Sequence, residues 1–304
     1  MKETKIIRAH GLGGEKTREL IEEIIIPIID NPYAKKLDDG AEMPWDSEKV
    51  IFTTDSFVVS PAFFPKGNIG GLSVAGTVND IVAQGGIPRF LSMTFILEEG
   101  FEISSVKKIV RAAADEAESA GVKIVCGDVK VVEKGHGDGI YVTTSGIGTP
   151  YIITNPGKIQ KEASILVAGS VGDHGAAIFQ ARNSILEENE IVKSDCREMT
   201  GVLKALTPFK DKIHFMRDPT RGGLAQVMIE LARLTGSDLE INERMIPLKS
   251  WVKGLTYITG MDPLYLACEG NMIIVCERDC ESDVETALKE NGFPESSVIG
   301  HFSG

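Results

Sequence analysis

Five aspartates in this chain stand beside glycines or at the ends of apolar runs: Asp39 in DGA, Asp55 in TDS, Asp80 in ND, Asp128 in GD and Asp218 in RDPT. A carboxylate at a strand end is held rigidly yet faces a loop, which suits a Mg²⁺ ligand shared with phosphate oxygens. Any one of them is also an ordinary turn former or helix cap. Their recurrence beside several glycine-rich loops keeps both readings open, a phosphate site and plain turn chemistry.

Two of the loops have the make-up of an anion cradle. Residues 10–17 read HGLGGEKT, matching neither GxGxxG nor the Walker A pattern. Gly11, Gly13 and Gly14 serve either a tight turn where no Cβ fits, or a run of bare N–H groups aimed at an anion, with His10 at its head. Residues 217–224 read RDPTRGGL. Here Asp218 is expected to cap a helix, with Pro219 setting its first turn. Gly222 and Gly223 would let a ligand approach the first helical N–H groups, and Arg221 would add a forked phosphate donor. Asn79-Asp80 falls inside a stretch of Gly, Ala, Ser and Thr, so the pair faces solvent or a cavity.

The elements that must carry these residues follow from hydrophobic spacing. Leu20, Ile21, Ile24 and Ile25 predict a helix over 17–26 that Pro27 breaks. VIFTT (50–54) reads as a buried strand ending at Asp55, and 122–126 as a strand ending at Gly127-Asp128. Residues 70–84 predict a small-residue helix suited to close packing on a sheet or a twin subunit. Ser104 is the expected N-cap of a helix to Ala120, with Val106, Ile109, Val110, Ala113 and Ala117 as its stripe and Gly121 as its stop. Further strands are expected at 89–96, 138–147, 165–168 and 271–276, and further helices at 224–234 and 282–290. The composition shifts over 148–161, which divides the chain into domains 1–150 and 151–304. Alternating strands and helices make the class α/β (α+β).

A net charge of −12 over 304 residues argues against a nucleic-acid footprint, which needs a clustered basic face. The charged start, MKETKIIRAH, is no signal peptide, and no apolar run approaches a membrane span, so a cytoplasmic protein with no membrane partner is expected. Cys126, Cys196, Cys268, Cys276 and Cys280 are odd in number and lack zinc spacing, which reads as buried reduced thiols.

With these residues assembled, the chain resembles the HypE family of hydrogenase-maturation carbamoyl dehydratases, within the PurM-like superfamily of aminoimidazole-ribonucleotide (AIR) synthetase. HGLGG, DGA, TDSFVVSPAFFPKGNIGGLSVAGTVNDIVAQGGIP, GDVKVV, GSVGDHG, RDPTRGGLA and DPLYLACEGN carry the resemblance, from about residue 7 to about residue 300. It implies a two-domain fold, with N-terminal mixed sheets joined into a barrel-like homodimer core, a C-terminal α/β domain and ATP in a long cleft. It implies a reaction: ATP phosphorylates a cysteine-bound thiocarboxamide, and loss of phosphate leaves a thiocyanate that supplies cyanide to the [NiFe] hydrogenase iron. It implies partners, the carbamoyltransferase HypF and the HypC–HypD complex.

Carried over by position, the resemblance places His10 to Gly14 over the phosphates, and Asp55, Asp80 and Asp128 on Mg²⁺ beside ATP. Lys130 and Glu269 would flank the carboxamide and assist proton removal. Without the resemblance these two read as a solvated strand charge and a turn residue. Two departures stand out: Asn68 in FPKGNIG where an acid is common, and Val129 in GDVKVV where Thr is usual. The family's chains end in a tail whose last residue is the carrier cysteine, whereas this sequence ends GHFSG. The expectation is a removed tail, leaving a core that folds, dimerises and binds ATP without forming a thiocyanate alone. The alternatives are another PurM-like enzyme, of the purine cyclo-ligase or thiamine-phosphate kinase type, or a non-enzymatic ATP-binding scaffold.

Overall fold

The computed structural model describes residues 3–37, 40–184 and 192–303; Asp39 lies outside them. The first half runs α1 (Glu15–Leu20), a π-turn (Ile21–Ile25), α2 (Ile26–Ile29), β1 (Ile51–Phe57), the short hairpin β2 (Phe63–Phe64) and β3 (Gly67–Asn68), and α3 (Ile69–Ala83). It continues with β4 (Gly86–Glu98), α4 (Ile103–Ser119), β5 (Lys123–Val132) and β6 (Ile140–Pro150). The second half holds β7 (Ser164–Val167), α5 (Asp173–Asn183), α6 (Thr200–Leu206), β8 (Ile213–Arg217) and α7 (Gly223–Thr235). After these come β9 (Leu239–Ile241), α8 (Ser250–Thr259), β10 (Ile273–Cys276), α9 (Glu281–Glu290) and β11 (Ser297–Phe302).

Two sheets result. The first has the order β1-β6-β4-β5 and is mixed, because only β4 and β5 run parallel. The second, β8-β10-β7-β11-β9, is antiparallel throughout. One face of the first sheet carries Leu91, Met93, Phe95, Leu97 and Val142 into the core, under α3 and α4. Its other face is open: Phe52 and Val58 are each 64% exposed, and Ile147 pairs with Phe52 beside them.

Several local expectations are corrected. Pro27 does not end its helix; the π-turn before it gives the proline a place near the start of α2, where a missing N–H costs little. Asp55 and Asp128 lie within β1 and β5 rather than at their ends, and β1 is an edge strand whose residues alternate, not a buried run. Ser104 lies inside the first turn of α4, whose N-cap is Glu102. Asn68, the departure from the family pattern, caps α3 by accepting from the N–H groups of Gly70 at 2.8 Å and Gly71 at 3.4 Å. The small residues of α3 take the first of their two expected uses, with the helix wedged inside the subunit between the sheet, α4, α6 and β8.

Candidate active site

Four carboxylates that are far apart in sequence meet at the seam between the two halves. Asp80 on α3 accepts from Thr53 Oγ1 of β1 at 2.7 Å, and Asp55 lies two residues along the same strand. Asp218 follows β8, and Glu269 lies in the loop before β10. Their crowding shows in their proton affinities. Burial, and then the Asp80 charge, push the Asp218 carboxyl up to about 7. Burial pushes Asp80 up, with Asp55 adding to it, against the Thr53 hydrogen bond and the charges of Arg217 and Arg221. Glu269 is held well above the usual carboxylate range by burial and by Asp218, Asp195, Asp55 and Asp80. Such a cluster favours a proton or a cation that neutralises it.

Two loops bring Asp218 and Glu269 together. The Cys268 N–H donates to the Pro219 carbonyl at 3.0 Å, lacing RDPT to ACEGN. Gly223 makes the approach possible: its φ is +60°, and a Cβ there would stand 2.4 Å from the Leu264 carbonyl oxygen. The cap of α7 is Gly222, not Asp218, and Pro219 lies before the helix rather than in its first turn. Arg221 is exposed beside this turn.

Asn79 is buried away from solvent. Its Nδ2 donates to the carbonyls of Arg197 at 3.0 Å and Glu269 at 3.2 Å, and its Oδ1 is buried with no partner among the described residues. Asp195, which carries no sequence signal, accepts from the N–H groups of Glu269 and Gly270. It lies in a stretch with no period or glycine, so nothing local marks it. Asp173, in GSVGDHG, is fully buried, bonded to Ser170 and paired with Lys249 at 2.7 Å.

The amino-terminal loop divides. His10 is buried, and its Nδ1 accepts from the Ile7 N–H at 3.1 Å, while burial lowers its pKa and keeps it neutral. Gly11 packs on Val131 of β5. Gly13 and Gly14 instead line a cleft of about 760 Å³ between α1–α2 and the sheet, together with Cys126 and Asp128. The Gly13 N–H is used by Thr17 Oγ1 at 2.9 Å.

Asp128 is not brought to Asp55 and Asp80 within the subunit. Across the sheet, Asp55 shares a row with Thr144, Met93 and Gly127, whereas Asp128 shares the next row with Thr94, Thr143 and Ser56. Adjacent rows point to opposite faces. On that open face Lys130 Nζ donates to Asp128 at 2.8 Å, so the structure also separates Lys130 from Glu269. Among the described residues no His, Cys, Asp and Glu group of three or more is arranged to hold a metal alone. Mg²⁺ takes only one or two protein carboxylates when phosphate oxygens and waters complete its octahedron. The hard oxygen donors Asp55 and Asp80, the latter buried and raised further by the Asp55 charge, fit that demand.

Comparison with known proteins places the chain among relatives. The family described as AIR synthase related protein matches with its N-terminal domain over residues 37–149 and its C-terminal domain over 160–304. The chain is 41% identical over 279 residues to the carbamoyl dehydratase HypE of Rhodobacter capsulatus, covering 90% of this chain and 82% of that protein. It is 37% identical over 298 residues to the carbamoyl dehydratase HypE of Escherichia coli, covering 96% and 88%. Among solved structures, hydrogenase maturation protein HypE in complex with ATP superposes with a TM-score of 0.94 at 34% identity, over 98% of this chain and 89% of that one. The HypE–HypF complex matches with a TM-score of 0.81 at 39% identity, over 93% of each chain. Thiamine monophosphate kinase of Aquifex aeolicus, at 17% identity and a TM-score of 0.64, shares the fold alone.

Proposed function

The chain belongs to the HypE family of AIR synthase related proteins, and from that premise we propose how its seam of carboxylates serves the family's reaction. The protein is an ATP-dependent carbamoyl dehydratase of [NiFe] hydrogenase maturation that converts a cysteine-bound thiocarboxamide to a thiocyanate. The observation that carries the site assignment is the meeting of Asp55, Asp80, Asp218 and Glu269 at one seam.

The carboxamide oxygen attacks the γ-phosphorus of ATP, ADP leaves, and one N–H proton is lost to give an imidate phosphate. Loss of phosphate and of the second N–H proton completes the nitrile. An amide oxygen leaves poorly and a phosphate leaves well, so ATP supplies the leaving group and the protein must supply a proton acceptor. We assign that role to Glu269, which lies at the seam: burial and the carboxylates around it raise its proton affinity, so it becomes a strong base once a bound cation has displaced its own proton. Asp55 and Asp80 would hold Mg²⁺, which when bound offsets the charge of the phosphates. The 220–223 turn, with Arg221, flanks the nucleotide at the seam, and Asn79 orients the Glu269 loop from α3. Gly13 and Gly14, which share the cleft of Asp128, would reach the nucleotide with Asp128 from the other copy.

Lys130 and Asp128 enter this scheme from a second subunit. The open sheet face, with exposed Phe52 and Val58, is the surface a homodimer would cover, and Lys130 lies on that face. The carbamoyl group comes from HypF, a partner supported by the HypE–HypF complex to which this chain is similar. The HypC–HypD complex is the expected acceptor of cyanide, and the cytoplasm the expected compartment. Relatives at 34–41% identity do not favour the kinase, cyclo-ligase or scaffold alternatives. The test is incubation with ATP, Mg²⁺ and an S-carbamoylcysteine peptide. Stoichiometric ADP release with loss of one water mass from the peptide is expected; ATP turnover that leaves the peptide unchanged would reject the assignment.

A further inference from the structure

Glu269 is gripped through its main chain, and the residue that does most of the gripping has no part in the scheme above. Both carboxylate oxygens of Asp195 accept from the Glu269 N–H at 3.2 Å, and one accepts from the Gly270 N–H at 3.1 Å. Two successive N–H groups turned on one carboxylate form a small anion nest. The Glu269 carbonyl is held from the other side, accepting from the Arg197 N–H at 3.3 Å and from Asn79 Nδ2 at 3.2 Å. No rotation of this peptide is possible without breaking at least two of these bonds.

The approach is close enough to dictate the sequence. A Cβ on Gly270 would stand 1.9 Å from the Asp195 carbonyl oxygen, so EGN requires its glycine because Asp195 is there. Asp195 is itself set by its neighbours: the Cys196 N–H donates to Ser194 Oγ at 3.0 Å, and that hydroxyl meets His174 Nδ1 at 2.9 Å. The placement is costly, since burial and the Asp173 charge push the Asp195 carboxyl up to about 7. A group kept where it destabilises the fold invites a functional reading.

We propose that Asp195 is a positioning residue for the dehydration: by fixing both N–H groups of the Glu269–Gly270 turn, it sets the direction of the Glu269 carboxyl at the seam. Asn79, next to Asp80 on α3, ties the same turn to the element that carries one of the nucleotide carboxylates. The inference rests on the reading of Glu269 as the proton acceptor.

The test is Asp195→Asn, which keeps the size and one acceptor oxygen but turns an NH₂ toward one of the two N–H groups. ADP formation with an S-carbamoylcysteine peptide should lose on the order of 10²-fold in kcat, as expected for a misplaced reacting group. KM and Kd for ATP should stay within about twofold, because the nucleotide carboxylates are untouched. Hydrogen exchange at the Glu269 and Gly270 amides should quicken. Added to Glu269→Gln, the substitution should cost nothing further in single-turnover ADP formation, since it acts through Glu269. Should Asp195→Asn fail to fold, Asp195→Ser, which keeps one acceptor, takes its place with the same expected outcomes. A wild-type kcat beside an inactive Glu269→Gln would overturn this proposal alone, as would a further loss in the double variant or unfolding of both Asp195 variants. A fully active Glu269→Gln would remove the role of Glu269 and this inference with it.

Discussion

Lys130 and Asp128, two positions apart on β5, form their 2.8 Å hydrogen-bonded ion pair on the sheet face opposite to the one that bears Asp55. Three strand spacings of about 4.8 Å lie between β1 and β5. Within one subunit this lysine is therefore remote from the carboxylate seam, and only a second copy on the open face would carry it toward a seam. Lys130→Ala and Glu269→Gln chains, each inactive alone, should then complement one another when mixed. Each mixed dimer would hold one intact site, for about a quarter of wild-type activity at random pairing. Complementation should vanish when Phe52→Asp, on the exposed face, is added to both chains and sedimentation shows monomers. Failure of any mixture to regain activity would place the two residues in one chain or in separate roles.

Asp218 carries a stability cost that ligand binding would offset. Its folded carboxyl sits at about 7, above the ordinary value of 3.8, so the folded state prefers the proton. The associated stability is full below about pH 4 and is lost as pH rises through 7. Asp218→Asn should flatten that decline and raise the melting temperature of the nucleotide-free protein at pH 8. The same variant should weaken Mg·ATP binding in calorimetry by tenfold or more, on the order of 1.4 kcal/mol. Unchanged affinity would take Asp218 out of the nucleotide site.

Glu116 offers the same sign without the chemistry. Burial and the nearby Glu198 charge push its carboxyl up to about 7, while the Glu198 N–H donates to it. Glu116→Gln should stabilise the protein by on the order of 2 kcal/mol at pH 8 and far less at pH 5, leaving turnover unaltered. Denaturant midpoints at the two pH values give the answer; equal shifts at both would assign the effect to packing.

Gly223→Ala tests the lacing of the two loops. The new Cβ would meet the Leu264 carbonyl oxygen at 2.4 Å and that of Leu266 at 2.6 Å, in a left-handed backbone conformation. A loss of roughly 2–4 kcal/mol in urea unfolding is expected, with weakened ATP binding as 217–224 shifts. At Gly13 φ is +78°, but a Cβ there would meet no atom within 4 Å. Gly13→Ala should therefore cost only the backbone strain, about 1 kcal/mol.

What the sequence alone determined was local in its causes. The stripe of α4 and its Gly121 stop, the small-residue helix α3 and the strand at 273–276 follow from spacing and turn chemistry, which neighbours in sequence suffice to specify. The motifs also carried the family, because their order along the chain is itself a one-dimensional property. Tertiary structure decided the rest. Pro27 was tolerated because a π-turn absorbed its missing N–H. Asp218 gave up capping because the turn was laced instead to 264–269. Asp55 and Asp128, alike in sequence, parted to opposite sheet faces through strand pairing that no local pattern encodes. Asp195 stayed invisible because its partners, the N–H groups of Glu269 and Gly270, lie more than seventy residues away, and only packing brings a carboxylate to them.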